Sequence, residues 1–131
     1  MTGRSRDDLR VEIEELFADM WQVPRFSGVR HGFRPHCDCF RTDSPPELHV
    51  VVALPGVDPE SVRVTAAGRT LVVSGRRERP SIGGARYRQM EIEYGPFERR
   101  IELGEPVDAA RTEATYERGM LRIVLSLGES T

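Results

Sequence analysis

The residues best suited to bind a metal or to undergo redox chemistry lie close together before the middle of the chain. His31, His36, Cys37 and Cys39 fall within nine positions, and imidazoles and thiolates are the usual ligands of zinc. Cys-x-Cys is tighter than the Cys-x2-Cys of common zinc modules, and exposed thiols also suit an intermolecular disulfide. The segment leaves a metal site, a redox-responsive protein and a flexible arm as alternatives. We expect the flexible arm, with no metal and no cofactor.

No residue pattern indicates an enzyme. His49 lies within an alternating apolar segment and has no nucleophile beside it in the sequence. Asp7-Asp8 and Glu14-Glu15 are better explained as a helix cap and a solvated face than as paired catalytic carboxylates. Gly83-Gly84 is too isolated to form a phosphate-binding loop.

Composition restricts the partners and the compartment. The 131 residues carry a formal charge of −2, and all 19 basic residues are arginine. So small a charge gives no reason to expect a nucleic-acid or membrane partner. No apolar run approaches the roughly 20 residues that span a bilayer, and no hydrophobic signal segment follows the N-terminus. We expect a cytoplasmic protein.

Residues 1–43 are predicted to form an N-terminal arm. Leu9, Ile13, Leu16, Phe17 and Met20 recur at helical spacing, which predicts an amphipathic helix over about 7–21. Residues 23–43 lack a period and are predicted to be a flexible linker. A helix of this length is marginal in water, so its apolar stripe requires a partner surface.

The ordered domain is predicted to cover residues 44–127, followed by a short tail at 128–131. Apolar and polar residues alternate over 48–54, 62–65, 70–75, 97–103 and 114–127, with glycine- and proline-containing turns between them. Short strands at this spacing predict an all-β, immunoglobulin-like antiparallel sandwich. Gly119 is the natural position for the tight turn of the last hairpin.

Two features inside this domain do not suit a self-contained sandwich. Residues 76–86 form a long polar excursion that leads to Tyr87–Glu91, whose alternation is weak for a strand buried in its own core. Such a strand suits pairing with another chain's sheet edge. Arg99 shares a predicted apolar face, so it needs an acidic or a backbone partner.

Four motifs in order resemble the small heat-shock proteins of the α-crystallin domain family, in their bacterial and plant form. The motifs are Leu54-Pro-Gly-Val57, Leu71-Val-Val-Ser-Gly75, Tyr94-Gly-Pro-Phe97 and Ala114-x4-Gly119-x-Leu121. The resemblance covers roughly residues 44–127. It implies an ATP-independent holdase that binds partly unfolded proteins and prevents their aggregation, and a homodimer formed by strand exchange, which a larger homo-oligomer could contain.

The resemblance and the apolar arm together assign the site residues. Client contacts are predicted at apolar positions of the arm and of the groove between strands 61–66 and 112–117: Leu9, Ile13, Leu16, Phe17, Met20, Trp21, Phe26, Val62, Val64, Ala114 and Tyr116. The dimer interface is predicted at the exchanged strand and at the family's structural arginine: Tyr87, Arg88, Gln89, Met90, Glu91 and Arg99. The structural motif is predicted to consist of Leu54, Pro55, Gly56, Gly119 and Leu121.

In the family, an Ile-x-Ile or Ile-x-Val tail fills this groove on a neighbouring chain. Matching residue types occur here at Leu125-Ser-Leu127, within the last strand, and at Val11-Glu-Ile13, which a helix would have to unwind to present. Besides the metal- or redox-responsive reading, a second alternative is a monomeric sandwich-type adaptor of an ATP-driven chaperone. The long loop and the 87–91 strand argue against that adaptor.

Overall fold

The computed structural model describes residues 9–11, 13–15 and 33–127. Its regular elements are strands and two short 3₁₀ turns, at Pro59–Ser61 and Ala109–Arg111. Within these ranges no helix is long and apolar enough to cross a membrane. The predicted all-β sandwich is confirmed.

Two sheets pack face to face. The larger has the order β1-β7-β8-β4-β3 and the smaller the order β2-β5-β6. All neighbours are antiparallel except β2 and β5, which are parallel. The strands are β1 (Leu9–Val11), β2 (Ile13–Glu15), β3 (Cys37–Asp43), β4 (Pro46–Ala53), β5 (Arg63–Arg77), β6 (Gly95–Val107), β7 (Thr112–Glu117) and β8 (Met120–Ser126).

The core lies between the sheets and follows the predicted alternation. On β4, Val50 and Val52 are fully buried, and β8 contributes Leu121, Ile123 and Leu125 in the same state. The smaller sheet covers them with residues such as Leu71 and Phe97. Period-two alternation therefore identified the inward face of the central strands correctly.

The structural motif residues meet where β4 ends beside the last hairpin. The Leu54 amide donates to the Gly119 carbonyl at 2.7 Å, and Leu121, two residues after Gly119, is fully buried. Gly119 has φ +77°, and a Cβ there would lie 3.0 Å from the Pro55 Cα. Only glycine suits both the left-handed backbone and this close approach. Arg118 also has positive φ, which is typical of a type I′ hairpin turn.

Two boundaries differ from the prediction. The predicted linker 23–43 contains β3, which pairs with β4 from Cys37 to Asp43. Its mostly exposed side chains explain why no alternation marks it, because an edge strand can be held by backbone bonds alone. The strands predicted at 62–65 and 70–75 are one strand, β5, whose register shifts between Gly68 and Thr70. The glycine there marks a bulge rather than a turn.

The helix predicted over 7–21 is wrong for the residues of the arm that the structure describes. Leu9–Val11 and Ile13–Glu15 are strands on the edges of the two sheets. The apolar residues here fit the period of a strand as well as that of a helix, since positions 9, 11 and 13 are apolar and two of them are β-branched. Pairing with β7 and β5 supplies partners that an isolated helix would lack. The rest of 7–21 and all of 128–131 lie outside the described residues.

Candidate interaction surfaces

The first candidate surface is the edge of the sandwich where β7 of the larger sheet and β5 of the smaller sheet lie on the same side. We call it the β5/β7 edge. The predicted groove residues lie here: Val64 is fully buried, Val62 is 6% exposed, and Ala114 and Tyr116 are each 2% exposed. The Tyr116 hydroxyl donates to the Leu54 carbonyl. These side chains therefore belong to the core, and what this edge offers to a partner is chiefly backbone.

The chain's own arm occupies both sides of the β5/β7 edge. β1 runs antiparallel to β7, with Leu9 opposite Tyr116 and Val11 opposite Ala114. β2 runs parallel to β5, with Ile13 beside Val64. Two of the predicted client-contact positions, Leu9 and Ile13, are thus placed on the predicted groove. The other five arm positions, Leu16, Phe17, Met20, Trp21 and Phe26, lie outside the described residues.

The second candidate surface is the segment 78–94, which connects β5 to β6 and which we call the connecting loop. It has no strand, and Tyr87–Glu91 pairs with no other described segment. Tyr87 is 47% exposed and Met90 58% exposed. Ile82 and Ile92 are also exposed; the sequence prediction passed over both, although they are isolated apolar residues in a polar segment.

The neck of the connecting loop is held by an arginine that the sequence analysis did not single out. Arg77 donates through Nε and Nη2 to the Glu93 carbonyl, at 2.9 and 2.6 Å, and through Nη1 to the Pro55 carbonyl at 2.9 Å. Its guanidinium lies 3.8 Å from the centre of the Phe33 ring. Arg77 thereby joins the two ends of the loop to the turn after β4.

The third candidate surface is the outer edge of β3, the last strand of the larger sheet among the described residues. Phe40 is 49% exposed and stacks on His49 of β4, with ring centres 4.9 Å apart. The His49 Nε2 also lies 3.2 Å from the Thr42 hydroxyl and 3.1 Å from a Glu47 carboxylate oxygen. His49 is therefore held by its neighbours on the outer face of the sheet.

Cys37 and Cys39 lie on one face of β3 as free thiols. Partial burial, and secondarily the neighbouring Cys37, raise the pKa of the Cys39 thiol above its ordinary value. Among residues 9–11, 13–15 and 33–127, no three His, Cys, Asp or Glu side chains gather as metal ligands would. His31 lies outside those ranges.

Arg99 has the backbone partner that its apolar strand face requires. Its Nη1 donates to the Pro35 carbonyl at 2.6 Å, and its neighbours on the same face, Phe97 and Ile101, are buried. This contact ties β6 to the chain just before β3. The expectation that Arg99 would need an acidic or backbone partner is confirmed, and its predicted place in a dimer interface stays a prediction.

Comparison with known proteins gives a consistent result. The model of the Hsp20/alpha crystallin family matches residues 41–131. Heat shock protein 16 of Schizosaccharomyces pombe is 35% identical over 120 residues, covering 86% of this chain and 81% of that protein. Small heat shock protein C2 of Rickettsia felis is 26% identical, covering 92% of this chain and 77% of its own length.

Solved structures give the same result for the fold. Heat shock protein 16.0 from Schizosaccharomyces pombe superposes with a TM-score of 0.68 at 28% identity, over 76% of this chain and 91% of the other. A small heat-shock protein from Xylella fastidiosa, whose structure is described as revealing a distinct high order structure, gives a TM-score of 0.63 at 28% identity, over 74% of this chain and 88% of that one.

Proposed function

The chain belongs to the Hsp20/alpha crystallin family, and on that premise we propose that it is an ATP-independent holdase. It would bind partly unfolded proteins non-covalently and keep them from aggregating. Family membership supports a chaperone role in general terms. Two free thiols suit a reducing compartment, so the proposal places this activity in the cytoplasm.

The observation that carries the proposal is the way the β5/β7 edge holds an extended segment. β1 and β2 are three residues each and add to two different sheets by backbone pairing. Backbone pairing tolerates many side chains, because its donors and acceptors are the same in every residue except proline. An edge of this kind suits unfolded clients of varied sequence.

The strength of one such contact is modest. If an arm and an edge cover about 400 Å² of apolar client surface, the gross gain is on the order of 10 kcal/mol at ~25 cal/mol/Å². Association costs of roughly 4–15 kcal/mol offset most of that gain. Useful capture therefore needs several arms acting together, which favours an assembly over a monomer.

The dimer of this proposal forms by exchange of Tyr87–Glu91. The connecting loop presents apolar side chains to solvent, and the outer side of β3 has no strand beside it within the described chain. Strand edges with unpaired backbone groups readily add a strand from another molecule. A loop strand from one subunit and such an edge on the other are complementary, and exchange in both directions gives a symmetric dimer.

The test is suppression of heat-induced aggregation of a labile model enzyme, followed by light scattering without ATP. We expect suppression near one subunit per client and a marked loss when Leu16, Phe17, Met20, Trp21 and Phe26 are changed to serine. The control changes Asp19, Gln22 and Arg25 of the same segment to serine. No suppression by the unmodified chain at any ratio would refute the holdase, and equal suppression by both variants would exclude these apolar residues.

A further inference from the structure

Two sulfur ligands lie on the inner face of β3. Cys37 and Cys39 are both free thiols, and they lie directly opposite Val52 and Val50 of β4. Directly opposite residues of two paired strands share a face of the sheet, and both valines are fully buried. The two thiols therefore lie on the inner side of the larger sheet, at its edge. Cys37 packs against the core, whereas Cys39 is exposed.

The spacing of the two thiols along β3 suits a bridging atom better than a direct bond. Residues two apart on a strand are separated by about 6.7 Å, and their Cβ atoms lie side by side at a similar distance. A disulfide requires Cβ atoms within about 4.5 Å, so β3, which is a regular strand from Cys37 to Asp43, does not allow a bond between Cys37 and Cys39. A metal ion with two sulfur bonds of about 2.3 Å each spans about 4.6 Å, which two side chains that lean toward each other can reach.

The two thiols also influence each other electrostatically. Burial is the larger cause of the raised pKa of the Cys39 thiol, and the neighbouring Cys37 is the second. Two thiolates side by side repel, and a cation between them removes that repulsion. Binding of a singly charged cation releases one proton from each thiol, forms two metal–sulfur bonds and leaves a complex of charge −1.

The number and type of ligands select the metal. Zinc takes four ligands in structural sites, and the described part of the chain offers no group of three His, Cys, Asp or Glu side chains that could hold a metal ion. Cu(I) prefers soft thiolates, and two of them in a linear arrangement satisfy it. The side chains opposite the two cysteines are the aliphatic Val52 and Val50, which add no oxygen ligand.

We propose that Cys37 and Cys39 form a two-coordinate site for Cu(I), held as a linear dithiolate on the inner face of β3. In the sequence, Cys-x-Cys is too tight for common zinc modules. On a strand, the same spacing places both sulfurs on one face. The inference goes beyond the proposed function and does not depend on it, because neither client binding nor strand exchange uses the thiols as ligands.

The test is a competition for Cu(I) in the full chain without oxygen. The reduced protein is titrated with Cu(I) in the presence of bicinchoninate, whose copper complex is followed by absorbance. The matched variant Asp38→Cys, Cys39→Ser keeps two thiols but places them on opposite faces of β3, and Asp38 is exposed. We expect one Cu(I) per unmodified chain and about a hundredfold weaker binding by the variant, because its second thiol no longer acts at a high effective concentration.

Two further measurements define the geometry of the site. X-ray absorption of the copper-loaded chain should show two sulfur neighbours, and Cu(I) should protect both cysteines from iodoacetamide, as counted by mass spectrometry. Far-ultraviolet circular dichroism checks that the variant keeps the sheet content of the unmodified chain.

Three outcomes would overturn the proposal. The first is equal Cu(I) affinity of the unmodified chain and the opposite-face variant. The second is one Cu(I) for every two chains, which would mean a bridge between molecules. The third is a nitrogen or a third sulfur in the copper shell, which would mean a site built from other residues as well.

Discussion

The β5/β7 edge and the connecting loop differ in whether their extended backbone has a strand partner within the described chain. At the β5/β7 edge the chain supplies its own extra strands, β1 and β2, so the backbone edges are paired within one molecule. In the connecting loop, Tyr87 and Met90 stay exposed and Tyr87–Glu91 has no strand partner among the described residues. The β5/β7 edge is paired within one molecule, whereas the dimer proposed above would pair Tyr87–Glu91 with a second copy.

The difference depends on how each segment is attached. β1 and β2 are attached to the sandwich by backbone pairing with β7 and β5. The connecting loop instead has its two ends fastened by Arg77, which bonds the Glu93 and Pro55 carbonyls. These bonds hold the two ends of the loop beside the turn after β4. Removing the Arg77 side-chain bonds should therefore loosen the ends of the connecting loop.

The largest effect is expected from Arg77→Met, which keeps the aliphatic stem but loses the guanidinium. Three hydrogen bonds and the contact with the Phe33 ring disappear together, so the free energy of unfolding should fall by about 2–3 kcal/mol. Urea unfolding followed by circular dichroism at fixed protein concentration measures it. Arg76→Met is the matched control, because the Arg76–Glu78 pair is exposed on both sides and such pairs contribute at most about 1 kcal/mol. Equal losses would show that Arg77 does not fasten the neck.

The contacts of Arg77 could not be predicted from the sequence. Its partners are backbone carbonyls 16 and 22 residues away, and every residue has a carbonyl, so no residue type marks them. Arg99 was noticed only because it interrupts an apolar face. Its acceptor, the Pro35 carbonyl, was equally invisible in the sequence.

Strands were predictable where one face is buried in the core and the other is not. β4 and β8 are central strands, and burial on one face fixes their alternation. Their inward residues, such as Val50 on β4 and Leu125 on β8, were therefore assigned correctly. β3 was missed because an edge strand with exposed side chains carries no such constraint. β1 and β2 were predicted to be helical because their apolar positions satisfy helical and strand periods alike, and tertiary pairing decided between the two.

A second prediction tests whether the connecting loop associates through an exchanged strand or through a general apolar surface. Tyr87→Ser with Met90→Ser should weaken self-association about tenfold, roughly 1.4 kcal/mol, as measured by sedimentation over a range of concentrations. Ile82→Ser is the control, since Ile82 is equally apolar and 61% exposed but lies outside the exchanged strand. Equal weakening by Ile82→Ser would favour a general apolar contact. A chain that is monomeric at every concentration would favour the adaptor alternative.

The smallest expected effect concerns β3, the edge on which the exchanged strand would lie. Burial and the neighbouring Cys37 raise the pKa of Cys39, so at neutral pH a smaller fraction is thiolate than in an ordinary cysteine, and alkylation should be a few-fold slower. The rate of iodoacetamide labelling, followed by mass spectrometry as pH rises, measures this. Cys37→Ser should speed the reaction only in part, because burial is the larger cause and remains.

The same labelling reaction reports whether a partner covers β3. If the partner's Tyr87–Glu91 strand lies along this edge, Cys39 should react faster in the Tyr87→Ser, Met90→Ser variant than in the unmodified chain at equal concentration. The β5/β7 edge should not respond to this change, because its occupant comes from the same molecule. Labelling as fast as a free thiol in both proteins would mean that neither burial nor a partner strand protects β3, and the two regions would then differ less than their structures indicate.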